Sequence, residues 1–323
     1  VFNYLYTYKK TLHPEIEPFK ESTIKVSSLH TIHFAQYGNE NGKPVLFLHG
    51  GPGYAPVKQS HRFFNPSAFH VIILHQRGCG KSSPLGETKE NTTQHLIEDC
   101  ENIRKQLNIQ KWLLFGGSWG STLALTYAIH YPEVVTGMIL RGVFLSRKEE
   151  LEWLYSPTGA ARIFPESWDY FENALPYKTT DYLNDYDKCF KEDSENTREK
   201  CLLSWSVWES SLVSLNSKPL DTIIKETMDS KEYKTGSLIE HHYVMNDCFL
   251  EQGFFFKPEN INKIKDIPTI IVQGRYDVIC PMDTAYDLHK RLPKSSLNIT
   301  MAGHSSLEEE NVHALIEAVN SFI

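Results

Sequence analysis

At 323 residues the chain can bury a sizeable core, either as one large α/β domain or as a main domain carrying a smaller inserted one. A net charge of −7 and a pI of about 6.1, with no basic block to follow a phosphate backbone, argue against a nucleic-acid partner. No apolar run reaches bilayer length, and the six cysteines are scattered without a C-x-x-C pair, which argues against a membrane span, a disulfide frame or a zinc site. A soluble, cytoplasmic protein with free thiols is expected. Its N-terminal residues do not read as a signal peptide, although Val1 leaves open a leader removed before this sequence begins.

In chain order, two short alternating runs come first, "STIKVSS" and "TIHFAQYG", which predict an antiparallel pair. Continuous apolar runs then alternate with helical patterns: "VLFLHG" from Val45, "HVIILH" from His70, "WLLFGG" from Trp112, "GMILRG" from Gly137, "PTIIVQG" from Pro268 and "LNITMAG" from Leu297. Such runs suit parallel strands buried on both faces. Leu96, Ile97, Cys100, Ile103 and Leu107 share one helical face, with Asn91 to Thr93 available as a cap. The alternation predicts an α/β fold with a mostly parallel, doubly wound sheet and ligands at the carboxyl ends of its strands. It stops near Phe144 and resumes near Ile267. The intervening helical stretch, rich in Trp, Tyr, Phe, Glu and Lys, predicts a cap over residues 144–263, inserted into a sheet domain made of 1–143 and 264–323.

The chemistry gathers at "FGGSWGS". Gly116-x-Ser118-x-Gly120 lies between a strand and a helix, the setting of a nucleophile elbow, where flanking side chains would clash and the serine hydroxyl stands above the sheet. Alone, the motif fits a glycine-rich turn in any α/β protein. An α/β-hydrolase orders its acid and histidine after the serine, each on a loop behind a later strand, and Asp277 in "GRYDVICP" and His304 in "MAGHSS" occupy those places. Any one of the 14 histidines could be a structural or surface residue, and Asp277 a turn residue; order and strand context together select the triad. His304 is expected to take the Ser118 proton while Asp277 holds its tautomer. Oxyanion donors are expected from the amide of Trp119 and from the loop "HGGPGYAP", where Pro52 has no N–H and Gly51 is the chosen donor.

Several longer stretches then carry a family resemblance: "HGGPG", "QRGCGKS", "GGSWGSTLAL", "LRGVF", "RIFPESW", "WSVWE", "IEHHY" and "GRYDVICP". From about Val45 to its C-terminus the chain resembles the proline iminopeptidases of the α/β-hydrolase fold. The resemblance implies release of an N-terminal proline from peptides, with no metal or cofactor and a peptide with a free N-terminal proline as partner. It also implies that Glu209 and Glu240 bind the protonated amine, and that Phe144 and Cys280 contact the ring, with Trp153 and Tyr155 as weaker candidates. A carboxylate about 4 Å from that cation would contribute on the order of 4 kcal/mol at an effective dielectric of about 20, before desolvation.

Two positions depart from the family pattern. His75 replaces the usual Asp before "QRG", and is expected to make that loop sensitive to pH near neutrality. Val244 stands where an aromatic often follows "HY"; if it lines the pocket, the pocket is wider or less aromatic. The alternatives are a broader aminopeptidase or an esterase using the same triad, and a catalytically silent hydrolase fold used for binding.

Overall fold

The computed structural model describes residues 9–192 and 194–323. Among these residues eight strands, β1 (Lys20–Lys25), β2 (Thr31–Gly38), β3 (Lys43–Leu48), β4 (Phe69–Leu74), β5 (Trp112–Ser118), β6 (Val135–Val143), β7 (Thr269–Gly274) and β8 (Ser295–Thr300), form one sheet in the order β1-β2-β4-β3-β5-β6-β7-β8. The expected antiparallel pair is β1 and β2, and β2 also runs antiparallel to β4. All other neighbours are parallel.

Alternation along the parallel strands feeds two cores. Leu46, Leu48, Leu114 and Leu140 pack on one face with α1 (Thr93–Gln106) and α2 (Trp119–His130). Val45, Phe47, Leu113, Phe115 and Ile139 pack on the other, with Leu315 and Val319 of the C-terminal helix. Burial on both faces explains why these strands read as continuous apolar runs. The last one departs from that expectation: β8 is an edge strand, and its Ile299 is 43 % exposed. On α1, Leu96, Ile97, Cys100 and Ile103 are buried as their spacing requires, and the Thr92 hydroxyl caps the helix by accepting from the His95 amide.

Between β6 and β7 the chain is helical: α3 (Lys148–Leu154), α4 (Pro165–Glu172), α5 (Tyr182–Phe190), α6 (Glu195–Leu212), α7 (Leu220–Ser230), α8 (Tyr233–Met245) and α9 (Pro258–Ile264). The longest, α6, packs against α4, α5, α7 and α8. Its Trp205 and Trp208 join Trp168, Phe171, Tyr182 and Tyr186 in an aromatic core of their own. Two further helices, α10 (Met282–Arg291) and α11 (Glu309–Asn320), complete the sheet layers. Among the described residues no helix is long and apolar enough to cross a membrane, and all six cysteines are free and buried.

The sheet order fixes where a ligand can enter. From β3 the chain steps outward to β4, then crosses back to β5 on the other side of β3. The loops after β3 and β5 therefore diverge and leave a crevice at the carboxyl ends of the strands. Those are the loops carrying "HGGPG" and "SWGS".

Candidate active site

Ser118 is the last residue of β5, and α2 begins at Trp119. Its backbone sits at φ 58°, ψ −129°, in the left-handed half of the map that a non-glycine residue adopts only under constraint. The flanking glycines are steric necessities. A Cβ on Gly116 would lie 2.1 Å from the Gly120 carbonyl oxygen, and one on Gly120 would lie 2.0 Å from that of Leu48. The Ser118 side chain makes no capping bond to α2.

Asp277 and His304 lie on the loops after β7 and β8, and their side chains meet with His304 Nδ1 donating to Asp277 Oδ2 at 2.8 Å. The same carboxylate accepts from the Gln273 amide at 3.3 Å and, through Oδ1, from the backbone amides of Ile279 (3.0 Å) and Cys280 (2.8 Å). Beneath the pair, Gly142 has a φ of 53°, and a Cβ there would come within 3.2 Å of both the imidazole and the carboxylate. The other imidazole nitrogen, Nε2, lies 3.2 Å from Arg141 Nη1. Arginine can only donate, so Nε2 is the unprotonated acceptor, the tautomer a general base needs. Among the described residues no hydrogen bond joins Nε2 to the Ser118 hydroxyl, but both residues line the same cavity.

Asp277, Cys280 and His304 also place donor atoms within 4.8 Å of one another, a grouping that invites a metal reading. Its chemistry points elsewhere. Nδ1 and both carboxylate oxygens are already committed to hydrogen bonds, and burial, with the Asp277 charge behind it, pushes the Cys280 thiol well above its ordinary range and keeps it protonated.

The "QRG" stretch ties the crevice loops together. Gln76 donates through its side chain to the His49 carbonyl at 2.9 Å and accepts from the Trp119 indole at 2.8 Å, so one amide bridges the loop after β3 and the start of α2. Arg77 makes a two-pronged, buried ion pair with Asp99 at 2.7 Å. The expectation that His75 titrates near neutrality is not met. Burial, reinforced by His49, His33 and Lys81, lowers it to about 3, and its Nδ1 accepts from the Lys81 amide at 3.1 Å. The imidazole is a neutral acceptor that organises the turn.

The remaining candidates converge beside Ser118. Gly51, Trp119, Phe144, Glu209, Glu240 and Cys280 all line one small cavity against the serine. Val244 and Tyr155 line it too, whereas Trp153 does not. Trp153 instead donates to the Val278 carbonyl at 2.7 Å, anchoring the Asp277 loop. Glu209 on α6 and Glu240 on α8 meet because those helices pack side by side, as the Ser237 hydroxyl bonding the Leu202 carbonyl at 2.8 Å attests. Among the described residues each carboxylate has a single side-chain donor: Tyr155 to Glu209 at 2.6 Å and the Trp205 indole to Glu240 at 2.9 Å.

Burial pushes Glu209 up to about 7, with the Tyr155 bond pulling the other way. Burial raises Glu240 well above its ordinary range too, the Glu209 charge adding to the rise and the Trp205 bond opposing it. Two carboxylates in one apolar pocket cannot both ionise without a cation. Arg141, Gly142, Gln273 and Gln76 are site residues that the sequence reading did not single out. Only the positive φ demanded at Gly142 has a sequence correlate, its being glycine.

Residues 43–311 match the family described as alpha/beta hydrolase fold. Among solved structures, an alpha/beta fold family hydrolase from Bacillus anthracis superposes with a TM-score of 0.61 at 19% identity, covering 94% of this chain and 99% of that one. An esterase from Exiguobacterium antarcticum gives 0.61 at 19%, over 91% and 95%. At such identities these share the fold alone. Sequence relatives are nearer. A proline iminopeptidase of Xanthomonas citri is 41% identical over 97% of this chain and 99% of its own, and one of Arabidopsis thaliana is 41% identical over 93% and 79%. Likeness of this extent, running through sheet and helices alike, means that the chain belongs to the proline iminopeptidase family of the α/β hydrolases.

Proposed function

We propose that the protein releases N-terminal proline from peptides by forming a prolyl ester on Ser118. The Ser118 oxygen attacks the prolyl carbonyl while His304 Nε2 takes its proton, and the developing oxyanion is held by the amides of Gly51 and Trp119. The carbon–nitrogen bond then breaks as His304 returns that proton to the leaving amine. Water, deprotonated by the same imidazole, hydrolyses the ester and frees proline. Asp277 fixes the tautomer and balances the imidazolium.

The observation that carries the reading is the small pocket against Ser118 that holds Glu209 and Glu240 with one side-chain donor apiece among the described residues. A carboxylate pair raised by burial is short of a positive charge, and the protonated imino group of an N-terminal proline supplies one. An internal proline has a neutral imide there and a chain that would run into the cap. Phe144, Cys280 and Val244 supply the apolar wall for the ring.

We assign residues 1–143 and 264–323 to the sheet unit and 144–263 to the cap in outline. The packing of α9 on α2, with Phe255 and Ile264 in the core beneath the sheet, supports drawing the second boundary back toward residue 250. Buried free thiols favour a reducing, cytoplasmic setting.

A panel of aminoacyl-arylamides, with free and acetylated amino groups, tests the assignment. Turnover is expected for free prolyl-arylamide, to fall when the nitrogen is acetylated, and to vanish in Ser118→Ala. Equal turnover of the acetylated substrate would favour the esterase alternative, and full activity in Ser118→Ala would overturn the reading.

A further inference from the structure

The half-buried guanidinium of Arg141 has no carboxylate within 4.0 Å among the described residues. Three other arginines with little exposure do: Arg77 pairs with Asp99, Arg104 with Glu101 and Arg147 with Glu150. Arg141 spends Nη1 on the His304 carbonyl at 2.8 Å and on His304 Nε2 at 3.2 Å. Its Nη2 lies over the backbone before the nucleophile, where a Cβ on Gly117 would sit 2.4 Å away. Asp277, the nearby charge that favours its cationic form, has both oxygens occupied by other donors. The guanidinium faces a cavity of about 200 Å³ that contains Ser118 and His304 but neither Glu209 nor Glu240. It shares Gly51 and Ser118 with the cavity that holds the two glutamates, so the serine stands where the two meet, and a substrate whose amine reaches the glutamates can place its leaving part here.

We propose that Arg141 binds the free α-carboxylate of the residue that follows proline, and so makes Pro-Xaa dipeptides a preferred substrate class. The inference rests on the reading of Ser118 and His304 given above. The leaving nitrogen must come within about 3 Å of His304 Nε2 to receive its proton. In a dipeptide the carboxylate is separated from that nitrogen by one Cα, which sets oxygen and nitrogen about 3 Å apart. A guanidinium already 3.2 Å from the same Nε2 is within hydrogen-bonding reach of that oxygen. In a longer peptide the same place holds a neutral amide carbonyl, which accepts a hydrogen bond but brings no charge. The two ends of a dipeptide are then read by opposite charges across the serine: its cation by Glu209 and Glu240, its anion by Arg141.

The test compares kcat/KM for Pro-Gly, Pro-Gly-amide and prolyl-arylamide in the wild type, Arg141→Gln and Arg141→Lys. The wild type is expected to favour Pro-Gly over its amide by about tenfold or more, the scale of a hydrogen bond to a charged group. Arg141→Gln should bring that ratio to about 1, whatever it does to turnover in general, and Arg141→Lys should fall between. A wild-type ratio near 1, or the same ratio in wild type and variants, overturns the proposal. Should Arg141→Gln fail to fold, the wild-type ratio and the Lys variant decide it in the same way. Absence of prolyl-arylamide turnover in the wild type would instead sink the underlying peptidase reading.

Discussion

The carboxylates near Ser118 are built in two opposite ways. Asp277 accepts four hydrogen bonds, from Gln273, His304 and the amides of Ile279 and Cys280, so its oxygens are fully partnered before any substrate arrives. Glu209 and Glu240 accept one side-chain bond each and are raised by burial. The sheet loops thus supply a finished electrostatic device, and the cap supplies one that needs a ligand cation to complete it. On the function proposed above, this difference assigns chemistry to the sheet loops and selection to the cap: a preset charge would serve every acyl substrate alike, whereas an unsatisfied pair would discriminate.

The largest expected effect tests the finished side. Asp277→Asn keeps the shape but offers His304 an amide in place of the carboxylate, which disfavours the tautomer needed at Nε2. A loss of about 10⁴ in kcat is expected, common to prolyl-arylamide and to simple esters. A loss confined to one of them would mean that Asp277 acts on selection. Glu240→Gln and Glu209→Gln attack the other side. Each should lower kcat/KM for free prolyl-arylamide about 10²-fold while barely changing hydrolysis of an ester that lacks the amine. Equal losses on both substrates would erase the contrast between the two units.

A pH series sharpens it. With Glu209 near 7, kcat/KM for free-amine substrates should rise with pH through that value, as the carboxylate becomes available to the cation. Stability moves the other way. A folded-state carboxyl raised to about 7 binds a proton that the unfolded chain has released above about 4.5, so the Glu209 contribution weakens the fold as pH rises from about 4.5 to 7. Glu209→Gln should therefore raise the melting temperature at pH 8 and lose that advantage at pH 4, as read by thermal denaturation. An advantage independent of pH would show that repacking and not charge is responsible.

Legibility in the sequence followed the same division. Ser118, Asp277 and His304 sit at ends of strands, and strand ends are visible because buried parallel strands read as uniform apolar runs. Glu209 and Glu240 lie on separate helices, and nothing in either helix's periodicity sets them apart from surface glutamates; only the resemblance did so. Their proximity is a product of α6 packing on α8. Arg141 was concealed within "LRGVF", where a strand residue gives no sign that its guanidinium reaches His304. His75 misled because its own ordinary pKa suggested a switch, while burial beside His33 and His49 decides its state. Val244 does line the pocket, so on the function proposed above its departure from an aromatic would bear on ring selectivity.

The smallest expected effect is the most specific. Tyr155 touches Glu209 through its hydroxyl, at 2.6 Å, while its ring stacks on Trp205 with centroids 4.7 Å apart. Tyr155→Phe keeps the stack and removes the one side-chain donor to Glu209. A lost hydrogen bond to a carboxylate is worth about 1.5 kcal/mol, about one pH unit. Because that donor lowers the Glu209 pKa, its removal should move the acidic limb of the free-amine pH profile to higher pH by up to about that amount. The ester profile should stay where it was, since neither His304 nor Asp277 hydrogen-bonds Tyr155 among the described residues. A limb that moves for both substrates would mean that the titrating group serves the step common to both, and one that moves for neither would remove Glu209 from amine recognition.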